Sequence, residues 1–158
     1  MGFDAIWISP IPENYGDDYH GYGALDWYKV NPHFGTEQDL TNMIQAAQSL
    51  GIWVMLDVVA NHAAYIGMDF YKVTPFNESV HYHPYCIINN WNDQHEVEVC
   101  RLAGLPDLDQ DNAFVRSTLL EWINGVVKKF NFDGIRVDTV PEVRKDFWKE
   151  YAAAAGVY

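Results

Sequence analysis

The stretch from Ile52 to Val59 constrains the fold more than any other part of the sequence. It is almost uninterrupted in its apolar character. A strand with one solvated face alternates apolar and polar residues, whereas a continuous apolar run indicates burial on both faces, as in a parallel sheet covered by helices. A segment with helical spacing precedes it, beginning at the capping pair Thr36 and Asp39 and ending at Gly51. Together they predict one helix–strand unit of an α/β protein.

The same pattern recurs along the chain. Strands are predicted at 5–9, 52–59 and 134–139, helices at 36–51, 112–130 (after the possible cap Asp111) and 143–155, and a loop without periodicity at 11–35. Repeating strand–helix units with apolar strands predict a parallel sheet, either in a barrel or in an open doubly wound fold. No glycine-rich phosphate loop follows any of these strands, which argues against the nucleotide-binding alternatives.

Composition narrows the function classes. The 158 residues fit one ordinary domain, and a net charge of -12 without a basic run makes nucleic acid and anionic membrane surfaces poor partners. No stretch approaches the ~20 apolar residues of a membrane span. Aromatic residues make up 15% of the chain, which suits a core and also a groove that stacks on sugar rings or other flat ligands. Cys86 and Cys100 allow a disulfide or two free thiols, and their count alone does not choose.

The excursion between the second and third predicted strands is too long for a plain loop. We interpret residues 62–110 as a small inserted subdomain closed by a Cys86–Cys100 bridge, whose 15-residue closure would contribute roughly 3 kcal/mol. The chain then divides into a first barrel or sheet segment at 1–61, the insertion at 62–110 and a second segment at 111–158.

Residues able to do chemistry gather where the predicted strands end. By strand alternation Arg136 and Asp138 project to the same side, and a guanidinium beside a carboxylate favours the ionised form that a nucleophile needs. A purely structural ion pair is the alternative for these two residues. In a barrel, polar residues at the carboxyl ends of strands are where chemistry takes place, and here these are Ser9, Asp57, Asn61, His62 and Asp138.

Several of these stretches, taken in order, resemble the α-amylase family of glycoside hydrolases, particularly the fungal-type secreted enzymes. They are Gly2-Phe3-Asp4-Ala5-Ile6-Trp7-Ile8-Ser9-Pro10, Asp57-Val58-Val59-Ala60-Asn61-His62, Leu105-Pro106-Asp107-Leu108-Asp109 and Gly134-Ile135-Arg136-Val137-Asp138-Thr139-Val140. The resemblance covers essentially the whole chain. It implies part of a (β/α)8 barrel, about strands 2 to 4 with their helices, and a small calcium-binding domain inserted between strand 3 and helix 3.

The resemblance also implies a role for each matching residue. Asp138 matches the catalytic nucleophile and Arg136 the arginine that holds it ionised. His62 matches a histidine that hydrogen-bonds the sugar at the cleavage subsite, Tyr22 the aromatic platform under that sugar, and His20 a neighbouring sugar contact. The implied activity is endo-hydrolysis of α-1,4-glucosidic bonds in starch or glycogen with retention, and α-glucosidase or transglycosylase specificity is the close rival.

A structural Ca²⁺ is the implied cofactor. Asn61, Glu98 and Asp107 match its side-chain ligands, and Glu142 stands where a main-chain carbonyl binds it. Two carboxylates, an amide and a carbonyl suit a hard cation that prefers oxygen ligands. The resemblance further implies a secreted, monomeric parent enzyme that acts on an α-glucan polysaccharide.

Two departures from the family pattern matter for function. Pro141 and Glu142 replace the usual Lys-His, and proline has no amine to contact the leaving-group sugars. Retaining hydrolysis also needs a second carboxylate, and the family's acid/base glutamate would fall beyond Tyr158. We therefore expect the 158-residue chain to be an internal piece of the catalytic domain. On its own it should be inactive and bind at most calcium or sugar.

Overall fold

The computed structural model describes residues 2–17 and 19–158. Met1 and Asp18, which belong to the predicted first segment, lie outside the described residues. Along the described chain the strands and helices are, in order, β1 Ala5–Ile8, β2 Pro12–Asn14, β3 Ala24–Val30, α1 Glu37–Ser49, β4 Trp53–Val58, α2 Gln94–Val99, α3 Ala113–Phe130, β5 Gly134–Val137 and α4 Lys145–Ala155. None of these helices combines the length and apolar character needed to cross a bilayer.

The predicted parallel sheet is confirmed. β4 pairs with β1 on one side and with β5 on the other, and both pairings are parallel. The carboxyl ends of the paired strands therefore meet at one edge of the sheet. At this edge the register sets Asp57 of β4 opposite Arg136 of β5.

The core lies between this sheet and the helices that cover it. Because β4 is the central strand, its alternate side chains are enclosed by the sheet's neighbours and by α1 and α3. Fully buried apolar residues come from α1, β4, α3 and α4, namely Ile44, Val54, Leu56, Val58, Leu119, Ile123 and Phe147.

The apolar run at 5–9 also predicts a buried strand, and this prediction was wrong. Ile6 is 37% exposed and Trp7 is 58% exposed. The apolar run is real, but β1 pairs only with β4 in the described sheet, so its second edge has no strand beside it. Trp53, at the start of β4, is also exposed.

The loop prediction for residues 11–35 was also wrong in part. β2 and β3 form an antiparallel pair there, and Pro32–Phe34 is a short 3-10 helix. The pairing of β2 is shifted by irregularities on both sides of Glu13. A strand of three residues with a disrupted register leaves no alternation in the sequence for a periodicity argument to detect.

The helix boundaries agree closely with the sequence signals. Thr36 and Asp39 form the predicted capping box at the start of α1. At α3 the cap is Asn112, whose side chain accepts from the backbone of Phe114 and Val115, and not the neighbouring Asp111. α4 begins at Lys145, two residues after the predicted start.

The excursion between β4 and α3 contains a disulfide and a small apolar cluster of its own. Cys86 and Cys100 form a disulfide, which answers the question that the cysteine count left open. A small apolar cluster beside it contains Ile88, Val97 and Cys100. α2 ends at this bridge, so the loop that the disulfide closes also carries Glu98.

Candidate active site

The carboxyl ends of β4 and β5 bring one arginine and two aspartates together. Arg136 Nη1 lies 2.9 Å from Asp57 Oδ2 and 2.6 Å from Asp138 Oδ1. One guanidinium nitrogen thus joins a carboxylate inside the sheet to a carboxylate just after β5. The charges of Asp57 and Asp138 outweigh the effect of burial and raise the pKa of Arg136.

Asp57 has no face left for a substrate. Its Oδ2 accepts hydrogen bonds from the indole Nε1 of Trp7 and from the hydroxyl of Tyr22, each at 2.9 Å, and its side chain is fully buried. Burial raises the pKa of Asp57, and the donors Tyr22 and Trp7 and the charge of Arg136 oppose that rise. This carboxylate can position Arg136 but cannot reach a ligand.

Asp138 differs from Asp57 in its exposure. Its side chain is 25% exposed, against 0% for Asp57, although both contact the same guanidinium. Its backbone N–H donates to Val58 O at 3.0 Å, which fixes the residue to the end of β4. Of the two carboxylates on Arg136, Asp138 is therefore the one that can meet an incoming group.

Trp7 completes this cluster. The Arg136 guanidinium carbon lies 4.8 Å from the Trp7 ring centroid, so the indole stacks on the arginine while it donates to Asp57. From the sequence, Asp57 was predicted to lie at a strand end but had no assigned role, and Trp7 was not singled out. The signal that could have found both is the parallel pairing of β1 with β4, which brings their neighbouring side chains together.

The loop before Tyr22 is shaped by a close backbone approach. Gly21 has a φ of +86°, and a Cβ there would lie 2.6 Å from the Pro10 carbonyl oxygen, so only glycine fits. The ring of His20 stacks on that of Tyr22 with centroids 5.6 Å apart, and its Nδ1 accepts from the Tyr22 backbone N–H. The turn thus delivers His20 and Tyr22 to the Asp57 side of the cleft.

His62 lies against the same loop and is almost fully buried. Its Nε2 is 2.9 Å from the Tyr22 carbonyl oxygen, and its Nδ1 is 2.7 Å from Asn61 Oδ1. Burial lowers the pKa of His62, which favours the neutral imidazole. The structure therefore brings His20, Tyr22 and His62 together around Asp57, Arg136 and Asp138.

A second polar cluster lies directly behind His62. Asp107 is buried, and its Oδ2 is 2.7 Å from His83 Nδ1, while its Oδ1 is buried without a hydrogen-bond partner among the described residues. Burial raises the pKa of Asp107 to about 7, and the hydrogen bond and charge of His83 oppose the rise. The Nδ2 of Asn61 is likewise buried without a hydrogen bond. A buried carboxylate oxygen without a donor is costly unless a cation or water meets it.

The protonation of His62 bears on what Asn61 presents to this cluster. A neutral imidazole has one N–H, yet both of its nitrogens face oxygen atoms, Asn61 Oδ1 and Tyr22 O. The two ends of an asparagine amide have the same shape, so hydrogen bonding decides their orientation. With the amide reversed, its NH₂ group donates to His62 Nδ1 and to Thr139 Oγ1, and His62 Nε2–H donates to Tyr22 O. The amide oxygen then stands beside Asp107, and two adjacent oxygens without donors fit an oxygen-seeking cation.

The other two predicted calcium ligands lie on neighbouring elements. Gln94 Nε2 donates to Glu98 Oε1 at 2.8 Å and to Pro141 O at 2.9 Å, which joins Glu98 to the turn that contains Glu142. Glu98 and His83 line one cavity of about 140 Å³. Glu142 is buried, and its Oε2 has no hydrogen-bond partner in the part of the chain that the structure describes. Across residues 2–17 and 19–158, no three His, Cys, Asp or Glu side chains are grouped as a ready metal site.

Comparisons with known proteins identify the family. The model of the alpha amylase catalytic domain matches residues 1–154. The chain belongs to the alpha-amylase family. It is 43% identical to the alpha-amylase mde5 of Schizosaccharomyces pombe, with all of this chain and 33% of that protein aligned. It is 37% identical to an alpha-amylase of Saccharomycopsis fibuligera, with all of this chain and 35% of that protein aligned.

Solved structures of the family give the same result. The chain superimposes on an alpha-amylase from Malbranchea cinnamomea with a TM-score of 0.94 and 40% identity, covering 99% of this chain and 36% of that one. For an alpha-amylase from Geobacillus thermoleovorans the TM-score is 0.91 at 40% identity, covering 98% of this chain and 34% of that one. The parallel strands and their helices are therefore part of an alpha-amylase barrel. The chain spans about a third of the length of these relatives.

Proposed function

We propose that the protein containing this chain hydrolyses internal α-1,4-glucosidic bonds of starch or glycogen, with retention of configuration. The observation that carries the proposal is the Asp138–Arg136–Asp57 cluster at the carboxyl ends of β4 and β5, in a chain of the alpha-amylase family. Asp138 is the exposed carboxylate of the cluster, and it would attack the anomeric carbon as nucleophile. Arg136 would hold it in place, because Asp57 fixes the guanidinium from behind.

The sugar at the cleavage point would bind beside Asp138. We propose that Tyr22 stacks under it, that His62 forms a hydrogen bond to it in place of its contact with Tyr22 O, and that His20 contacts a neighbouring sugar. The stacked rings of His20 and Tyr22 support this placement. The relative from Geobacillus thermoleovorans is described as complexed with acarbose, which supports a carbohydrate ligand for the corresponding cleft. Pro141 and Glu142 would make contacts to the leaving-group sugars different from those of a Lys-His pair.

A retaining mechanism needs a second carboxylate about 5–5.5 Å from the nucleophile, which protonates the leaving oxygen. Asp57 cannot serve, because its side chain is enclosed and accepts three donors. We propose that a glutamate outside these 158 residues supplies this acid. The 158-residue polypeptide expressed by itself would then be inactive.

Calcium is the proposed cofactor. Asn61 would bind it with its side-chain amide oxygen and Asp107 with Oδ1. Glu98 would bind it with its carboxylate and Glu142 with its main-chain carbonyl. When bound, the cation supplies positive charge to buried oxygens that have no donor. It would join a first barrel segment at 1–61, an inserted domain at 62–110 and a second barrel segment at 111–158. The disulfide and the fungal relatives support a secreted protein, and we propose that it is a monomer.

The test is starch hydrolysis by the full-length protein and by its Asp138→Asn variant. The variant keeps the shape of the side chain but loses the nucleophile, so we expect kcat to fall by at least ~10³-fold. Asp111→Asn is the matched control. The side chain of Asp111 is exposed in an ion pair with Arg144, so this substitution should leave kcat unchanged. An Asp138→Asn protein that retains most of its activity would refute the assignment of the nucleophile.

Transglycosylation is a second candidate because of one specific similarity. A cyclomaltodextrin glucanotransferase superimposes on the chain with a TM-score of 0.83 and 29% identity, covering 96% of this chain. Chromatography of the products separates the two activities. With a maltooligosaccharide of defined length as substrate, shorter linear products alone indicate hydrolysis, whereas cyclic glucans or products longer than the substrate indicate transfer.

A further inference from the structure

One motif of the sequence has no part in the cleft or the calcium site. Asn77-Glu78-Ser79 is an Asn-X-Ser tripeptide without proline at its centre, and it is the only Asn-X-Ser/Thr tripeptide in the 158 residues. Such a tripeptide is the acceptor sequence for N-linked glycans. The tripeptide alone is weak evidence for a glycan, so its exposure and its backbone conformation also matter.

The tripeptide lies on the surface in irregular backbone. Asn77, Glu78 and Ser79 are all exposed, and Glu78 has extended backbone angles directly before the 3-10 helix Ser79–His81. The Asn77 backbone N–H donates to Pro75 O at 3.0 Å, whereas its side-chain amide makes no hydrogen bond within the described residues. Nothing in the fold has to be broken to reach the amide nitrogen of Asn77.

Two apolar side chains are exposed beside the tripeptide. Val80 is 61% exposed and Phe114 is 46% exposed. The two are neighbours, because Asn112 Nδ2 donates to Val80 O and the ring of Phe114 stacks on that of His81 at 4.7 Å. A glycan on Asn77 would stand next to this apolar pair and could shield it from water.

The disulfide indicates the cellular compartment in which the protein folds. Cys86–Cys100 indicates folding in an oxidising environment, and in eukaryotes the endoplasmic reticulum both forms disulfides and attaches N-glycans. The tripeptide and the disulfide belong to the same excursion between β4 and α3, so the enzymes of that compartment would meet both during folding.

We propose that Asn77 carries an N-linked glycan in the secreted protein. The glycan comes from a lipid-linked oligosaccharide pyrophosphate. Asn77 Nδ2 bonds to the anomeric carbon of the first sugar, the bond from that carbon to the pyrophosphate oxygen breaks, and the amide loses one proton. Ser79 supplies the hydroxyl by which the transferase recognises the tripeptide. The proposal rests on the secretion included in the proposed function.

The experiment is secretion of the full-length protein from a yeast host and mass spectrometry of its peptides after treatment with a peptide-N-glycosidase. We expect the peptide that contains Asn77 to show conversion of Asn77 to aspartate by this treatment. Ser79→Ala should abolish this conversion and Asn77→Gln should leave the peptide unchanged by the treatment, whereas Ser79→Thr should keep the conversion. Asn92→Gln is the matched control, since Asn92 is an exposed asparagine without the acceptor sequence, and it should also keep the conversion at Asn77.

The outcome separates this proposal from the enzymatic one. A secreted protein with an intact disulfide and an unmodified Asn77 overturns the glycosylation site, and so does retention in the cytosol. Starch hydrolysis is measured on the same preparations. No contact of Asn77 involves Asp57, Arg136 or Asp138, so Asn77→Gln should change kcat by less than about 2-fold, and loss of the enzymatic proposal would show in the unsubstituted protein.

Discussion

Asp57 and Asp107 are both buried aspartates at the carboxyl-end side of the sheet, but their surroundings differ. Asp57 meets an indole, a phenol hydroxyl and a guanidinium, so a charge and two donors within the chain stabilise its carboxylate. Asp107 meets His83 on one oxygen and has no donor on the other. Both side chains are removed from water to a similar degree.

We call the Asp57 group the completed cluster, because side chains of the chain supply all of its partners. We call the Asp107 group the open cluster, because one of its carboxylate oxygens has no donor among the described residues. A buried carboxylate without enough donors takes up a proton or attracts a cation, and burial accordingly raises the pKa of Asp107 to about 7. The Asp57 cluster should hold its geometry whatever metal is present. The Asp107 cluster should depend on what is bound there.

Asp57→Asn should have the largest effect on the stability of either cluster. It removes the charge behind Arg136 while keeping the shape of the side chain. We expect the free energy of unfolding to fall by about 3 kcal/mol, the lower end for a broken buried pair because Arg136 is one-third exposed. Urea denaturation measures the loss. Asp111→Asn, in an exposed pair, should cause no measurable change, and equal losses for the two variants would contradict our account of Asp57.

Calcium removal should reveal the open cluster. At a free calcium concentration 100 times the Kd, binding stabilises the protein by about 2.7 kcal/mol, so a chelator should lower the Tm by several degrees. Asp107→Asn should abolish this calcium-dependent shift, whereas Asp57→Asn should keep it although its Tm is lower throughout. A Tm that a chelator does not move would count against a calcium site at Asn61 and Asp107.

The smallest effect should come from removing one donor of the completed cluster. Tyr22→Phe deletes the hydroxyl that donates to Asp57, and the remaining donors should limit the loss in unfolding free energy to about 1 kcal/mol. Tyr71→Phe is the control, because that hydroxyl is exposed and has no hydrogen bond within the described part of the chain. A loss as large as that of Asp57→Asn would mean that Tyr22 alone holds the cluster together.

The sequence predicted best what depends on near neighbours. The capping box of Thr36 and Asp39 closes over three residues, and the strand alternation that relates Arg136 to Asp138 spans two. Asp57 and Arg136 are 79 positions apart, and their contact exists only because of the register between β4 and β5. No local pattern encodes that register, so the partner of Arg136 could not be predicted.

The missed features have similar physical causes. The strand pair of β2 and β3 is too short and too irregular to produce a period of two. The exposure of Trp7 depends on which strands lie beside β1, which is a property of the sheet and not of the apolar run itself. The assigned roles of Asn61, Glu98, Asp107 and Glu142 came from resemblance, and local periodicity gave no hint that Asn61 and Asp107 would lie side by side.

The opposition of Asp57 and Arg136 across two parallel strands also affects how the sheet assembles. If β5 slipped by one residue along β4, Ile135 or Val137 would face Asp57, and the guanidinium would turn to the opposite side of the sheet. Either slip would leave a buried charge without its partner, at a cost of several kcal/mol. The ion pair that supports the candidate nucleophile thus also favours the native register of β4 and β5, because sheets with a shifted register are less stable.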